Sequence, residues 1–268
     1  MTDTLLKASA ALDRAQMAVV EAQQLVDAAI GLASAQDAVA APTAPASPPV
    51  APPAGTAGLS DPAAFFDVLR RSKVLGPTLE PGEVSGCEAI LAACAGKMPT
   101  SWAAYALGTA FHETAGTMQP VREAYWLDET SANKYFTRMY GPEGQRGDYA
   151  RKHGNTRPGD GPLFAGKGFV QLTWACNYKT AGAALGLPLY EQPHLAMDPV
   201  IAGKVLVQGL IDGWFSSTGK GIRAYIPANP TLQNFKAARV LVNLHDKDEL
   251  IAGYAMTFLK ALQAGGWQ

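Results

Sequence analysis

The sequence predicts a mainly α-helical domain with a small amount of sheet, preceded by a long N-terminal helix and a Pro/Ala-rich linker. Three observations carry this. Apolar residues at helical spacing recur in segment after segment from residue 60 onward. Six prolines fall within residues 41–58 and none within residues 3–40. One stretch, residues 166–172, reads clearly as a strand.

Residues 3–40 read as a single Ala-rich helix. Leu5, Leu12, Val19, Val26 and Ala33 recur every seven residues, and Ala8, Ala15, Ala22 and Ala29 sit three later in each heptad. That is an a/d seam with small d residues, suited to self-association or to docking on a partner. The competing reading is an accidental register in a segment that is mostly Ala, since small seam residues bury little area. A helix with so little to bury is marginal alone, which favours a partner. The prolines of residues 41–58 favour polyproline II and pack no core, so the domain boundary falls there. Glu21, Gln23, Gln24 and Asp27 interrupt the best apolar run, residues 17–35. The segment therefore reads neither as a signal peptide nor as a membrane span. The expectation is synthesis in the cytoplasm, with access to an external substrate only after release by a separate factor.

The 268 residues are 48% hydrophobic and 17% charged, enough for one sizeable core plus an appendage. A net charge of -1 gives no global argument for nucleic acid or for an anionic surface as partner. Cys87, Cys94 and Cys176 form no CxxC and have no His at ligand spacing. They read as reduced thiols, Cys87 and Cys94 being two helical turns apart, and no metal or cofactor is expected.

From residue 59 the pattern is globular. Asp61-Pro62 opens a helix that buries Phe65, Phe66 and Leu69, and Gly76-Pro77 ends it. A second helix begins near Pro81 with Cys87, Ile90 and Leu91 inward. A third runs from Ser101 to about Thr114, with Gly116 as its stop. Residues 117–161 are irregular and polar, with one helical patch at 131–140; so long a loop is usually functional. Thr173 is placed to cap a helix running to Leu185. Helices follow at 198–214, 232–241 and 247–262, the last presenting Ile251, Tyr254, Ala255, Phe258, Leu259 and Leu262 on one face.

Carboxylates are the candidates for chemistry. Glu113 lies in the last turn of an apolar helix, where desolvation and the negative end of the helix dipole both favour a protonated carboxyl. Taken alone, a Glu at a helix end is an ordinary solvated residue. Glu123, ten residues on and past Gly116 and Pro120, has chain enough to face it across a cleft. Asp128, Glu129, Glu143, Asp148 and Asp160 compete for that second role, and spacing does not choose among them. On the strand, Phe169, Gln171 and Thr173 alternate onto one face, with Asn177 on the same side if a helix starts at Thr173. A protonated and an ionised carboxyl together are what glycoside hydrolysis needs.

Residues 104–107, Phe111-His112-Glu113-Thr114, and residues 117–123 closely resemble the lysozyme-like enzymes of glycoside hydrolase family 19, which includes plant-type chitinases and phage endolysins. Gly154-Asn155-Thr156, residues 158–161, Gly166-Lys167-Gly168-Phe169-Val170-Gln171-Leu172-Thr173 and Asn177-Tyr178 continue the match. So do residues 193–196, 213–215, Ala238-Arg239, Val242-Asn243 and 251–255. The resemblance implies a lysozyme-like α+β domain over residues 59–268 with an inverting mechanism. It implies Glu113 as general acid, Glu123 as the base and Thr173 as a holder of the attacking water. His112, Gln171, Asn177, Tyr178 and Asn243 are implied substrate-binding residues. The chain departs from the family at Lys167, where Arg is usual, at Leu244, where Gly is common, and at Trp174-Ala175, where Gly-Arg is frequent. The function implied is an endolysin-type muramidase acting on peptidoglycan. A chitinase acting on N-acetylglucosamine polymers, and an inactive wall-binding module, are the alternatives.

Overall fold

The computed structural model describes residues 58–72, 74–76, 78–216, 218–243 and 247–268. The heptad helix, nearly all of the linker, Pro77 and Leu244 lie outside the described residues. The described chain is mainly helical around one two-stranded sheet. In order come α1 (Pro62–Ser72), α2 (Pro81–Cys94), α3 (Thr100–Glu113), β1 (Val121–Arg122), α4 (Glu129–Tyr140), α5 (Gly147–Lys152) and α6 (Asp160–Leu163). Then follow β2 (Lys167–Gly168), α7 (Ala175–Leu185), α8 (Pro199–Asp212), α9 (Leu232–Ala238) and α10 (Asp248–Ala264), with short 3-10 turns at Pro193–Met197, Ile222–Ala224 and Arg239–Leu241.

Helix α3 is the axle. Every residue from Ala103 to Ala110 is buried, so it carries no apolar stripe but is apolar nearly all round, as a central helix must be. It packs along α10, which also receives α1 and α9, while α2 lies against α8. The α3–α10 approach is close because Gly108 has no side chain: a Cβ there would lie 2.8 Å from the Ala255 nitrogen. The face predicted on α10 is the buried one, with Ile251, Ala255, Phe258 and Leu262 fully enclosed. Of these, Ile251, Phe258 and Leu262 each contribute roughly 1.5–3 kcal/mol. Left-handed backbone at Ala115 (φ 51°) and Gly116 (φ 86°) stops α3 where the sequence placed its end.

A second, smaller cluster sits under the long polar stretch. Ala124, Ala132, Phe136 and Ala165 are buried together, with Trp126, Tyr135 and Tyr140 packed against them. Two short helices, α5 and α6, occupy what the sequence pattern left as loop. Neither has a side-chain cap; ahead of α6 the turn is held by Asp160, which accepts from the Thr156 and Arg157 amides at 2.9 and 2.8 Å. Asp128 caps α4 through Thr130 and Ser131.

The predicted strand is the main correction. Only Lys167–Gly168 pairs with β1, in antiparallel register Arg122↔Lys167 and Val121↔Gly168. The chain then reverses: Leu172 donates to the Lys167 carbonyl at 2.9 Å and accepts from the Lys167 amide at 3.2 Å. Gly168 (φ 93°) and Gln171 (φ 53°) make the turn. Phe169, Val170 and Leu172 are all buried, so face alternation does not apply. A run of apolar residues between glycines reads alike whether it lies in a sheet or tucks into a core as a tight loop. All three cysteines are free, Cys87 and Cys94 buried.

Candidate active site

Glu113 is the last residue of α3. Its side chain is 17% exposed, so the solvated-surface reading fails. The helix end is as expected, but the neighbour is not apolar: Nη1 of Arg239, itself 1% exposed, donates to Oε1 of Glu113 at 2.8 Å. Arg239 opens the 3-10 turn after α9 and is carried on a rigid mount. The Tyr105 hydroxyl donates to the Ala238 carbonyl at 2.9 Å, and its ring stacks on Phe235. The half-buried His112 lies beside Glu113 on the same last turn.

Glu123 follows β1 directly, and its amide donates to the Gly166 carbonyl at 2.9 Å. This backbone bond, next to the β1–β2 ladder, fixes the carboxyl against the reversal loop. Oε1 accepts from the Tyr140 hydroxyl at 2.6 Å, and Oε2 faces the Gly166 amide at 3.3 Å. Burial pushes the Glu123 pKa up. The Tyr140 and Gly166 hydrogen bonds and the charges of Lys167 and Arg146 pull the other way. Gly166 leaves room here: a Cβ would lie 2.7 Å from Oε1 of Gln171 and 3.0 Å from Oε2 of Glu123. The absent side chain is what lets those two groups share a place.

The reversal loop assembles the remaining polar groups. Gln171 donates its amide to the Val121 carbonyl at 2.9 Å. Thr173 caps nothing; its hydroxyl donates to the Gln171 carbonyl at 2.7 Å, which leaves the oxygen lone pairs as acceptors. Asn155 satisfies the α7 start instead, accepting from the Ala175 amide at 2.9 Å while donating to the Tyr140 carbonyl. Asn177 donates to the Thr173 carbonyl at 2.8 Å. Lys167 donates to the Leu163 and Ala165 carbonyls, and burial brings its pKa down to about 8.

One of the expected binding residues stands elsewhere. Tyr178 is fully buried, its hydroxyl given to the Ala165 carbonyl at 3.0 Å, so it braces the loop from behind. Asn243 is half-buried beyond the Arg239 turn, its amide bonded to the Arg239 carbonyl. The competing acids have other tasks. Asp128 caps α4, Asp160 organises its own loop, Glu129 pairs with Arg122, and Glu143 and Asp148 pair with Arg151. Tyr140 and Arg239 were not singled out for the site by the sequence reading, because their partners lie 17 and 126 residues away. Among the described residues no three His, Cys, Asp or Glu side chains gather as metal ligands would. None of the described helices is long and apolar enough to cross a membrane.

Comparison with known proteins finds the following similarities. Residues 94–220, just under half of the chain, match the family model of glycoside hydrolase family 19, described as chitinase class I. The chain is 30% identical over 141 residues to an acidic endochitinase, WIN6, of Populus trichocarpa, covering 50% of this chain and 37% of that protein. It thus spans little more than a third of the length of that relative. Similar solved structures include chitinase C from Streptomyces griseus HUT6037, at 21% identity and a TM-score of 0.45, covering 80% of this chain and 79% of that one. Another is a bacterial family 19 chitinase at 20% identity and a TM-score of 0.42, covering 78% of this chain and 95% of that one. The segment that matches the family model includes Glu113, Glu123 and the 166–173 loop.

Proposed function

We propose that this chain is a glycosidase that hydrolyses β-1,4 bonds between aminosugars, with peptidoglycan as its substrate in the manner of an endolysin-type muramidase. The observation that carries the glycosidase reading is the setting of Glu123: a largely buried carboxyl, held by Tyr140 and backed by the Gly166 amide, beside the Thr173 loop. In the proposed reaction Glu113 protonates the bridging oxygen. Glu123 takes a proton from a water that also donates to the Thr173 oxygen, and that water attacks the anomeric carbon from the opposite face. Inversion by this route needs the carboxyls roughly 6.5–9.5 Å apart.

The reverse assignment of acid and base has one observation in its favour. Burial raises the Glu123 pKa, as suits a proton donor, while a guanidinium sits on Glu113. For the substrate, local charge favours peptidoglycan. Residues 121–179 hold nine Lys and Arg against six Asp and Glu, although the whole chain is near neutral. The name of the Populus relative favours chitin. Intact Glu113, Glu123 and Thr173 speak against an inactive wall-binding module.

The test is digestion of purified sacculi and of chitin oligomers by the full chain, with the new reducing-end sugar identified by mass spectrometry. A muramic acid reducing end supports the muramidase. Products from chitin alone would establish the chitinase instead, and Glu113→Gln lysing permeabilised cells as fast as wild type would remove Glu113 from the reaction.

A further inference from the structure

The departure at Trp174 has a structural counterpart on α5. Trp174 adopts φ 76° at the start of α7, a backbone state rare for a bulky side chain. Its ring is 8% exposed and lies edge-on to Tyr140, 4.9 Å between centroids. On its other side stands Tyr149, 5.2 Å away and 45% exposed, which in turn stacks on His153 at 3.9 Å. Arg146 spans the group, its guanidinium carbon 4.9 Å from the Tyr149 centroid and 5.6 Å from that of Trp174. This wall is joined to Glu123 through one residue, since Tyr140 touches Trp174 with its ring and Glu123 with its hydroxyl.

An arginine over aromatic rings is a common packing solution, found also at Arg138 and Arg223, but this one lies over the ring that packs against Tyr140, the residue holding Glu123. Arg122, Arg151 and Arg157 each have a carboxylate within 4.0 Å. Among the described residues, none is within that distance of Arg146. Its side chain is exposed, and its charge is nonetheless felt at Glu123 and Tyr140. The guanidinium is held in place by rings, not by an ion pair, so its in-plane donors remain available for bidentate contact with a carboxylate.

We propose that Arg146, set on Tyr149 and Trp174, forms a subsite for an aminosugar bearing a carboxylate substituent, such as the lactyl ether or stem peptide of a wall glycan. This rests on the glycosidase reading and names the feature of the substrate that the site selects. An uncharged chitin chain has no carboxylate to give this arginine.

The test compares one wall glycan in two forms, with carboxylates intact and with them converted to neutral amides. Wild-type protein is expected to show a kcat/KM about tenfold higher on the intact form, the scale of one charge-assisted hydrogen bond at a partly open site. Arg146→Gln brings that ratio to within about twofold of one, and Arg146→Lys, which keeps charge without the planar fork, retains part of it. The preference shrinks as salt rises. Wild-type indifference to amidation, or a preference that survives Arg146→Gln, overturns the subsite. Co-sedimentation with the two glycans reads the same preference without turnover. A protein that cuts neither glycan nor chitin but still sediments selectively would sink the glycosidase reading and leave the subsite standing.

Discussion

Glu113 and Glu123 are mounted in opposite ways. Glu113 ends a central helix enclosed on nearly every side, and the group against it is a buried cation from a turn far along the chain. Glu123 hangs from a two-residue strand over the smaller cluster, and the groups against it are dipoles, a phenol and a backbone amide. The first mount sets a guanidinium against the carboxyl. The second buries a carboxyl among hydrogen-bond donors and pushes its pKa up. Two identical side chains thereby acquire different chemistry, which is what an acid–base pair requires.

The sharpest way to break this comparison is to remove each carboxyl in turn. Glu113→Gln and Glu123→Gln are each expected to lower kcat by about 10²–10⁴-fold. An aryl glycoside with a good leaving group needs no acid, so it should restore turnover to the acid variant only. Azide, which replaces activated water, should restore turnover to the base variant only. Rescue of Glu113→Gln by the leaving group and of Glu123→Gln by azide supports the proposed roles; the crossed pattern reverses them.

Next in size is the ion pair. Arg239→Met leaves Glu113 enclosed without its cation and is expected to cost about 3–5 kcal/mol in denaturant unfolding. Adding Glu113→Gln to it should recover part of that loss, because the two sites are coupled. A loss no larger than that of Tyr140→Phe would mean the two mounts are not energetically distinct.

Gly166→Ala tests the shared space between Gln171 and Glu123, since a Cβ there would press on the ends of both side chains. Such ends can shift, so the melting temperature should change little while kcat/KM falls about tenfold, less than the roughly hundredfold that a full 1 Å misplacement can cost. An unchanged kcat/KM would remove that space from the site.

The smallest effect is the most diagnostic. Tyr140→Phe removes a hydrogen bond that lowers the Glu123 pKa, so the pKa rises further. If Glu123 is the base, it must be ionised, and the acid limb of the kcat/KM profile moves to higher pH. If it is the acid, the alkaline limb moves up instead. The rate at the optimum should fall about fivefold, a change of roughly 1 kcal/mol. A profile unmoved on both limbs would uncouple Tyr140 from the reaction.

Helices with a strong apolar pattern were legible in advance. The buried face of α10 and the ends of α2 and α3 came out where periodicity, Pro and Gly put them. The loop at 167–172 was misread as strand because glycine-flanked apolar runs have the same composition in either state. Short helices α5 and α6 carry too few turns for periodicity to register. Glu113 and Glu123 were found from residue type and motif, and Thr173 was found as a polar group near them. Its task as a cap was misjudged, since Asn155 reaches the same helix start from another loop.

By itself, then, the sequence determined a mainly helical domain, which follows from local spacing, while the choice of Glu123 beside Glu113 came from resemblance to a family and not from spacing. Only tertiary structure decided that Arg239 faces Glu113, that Tyr140 holds Glu123, that Tyr178 is a buried brace, and that Arg146 lies over Tyr149 and Trp174. Those pairings depend on how separate elements pack, and the protonation state of a carboxyl depends on what packing brings against it.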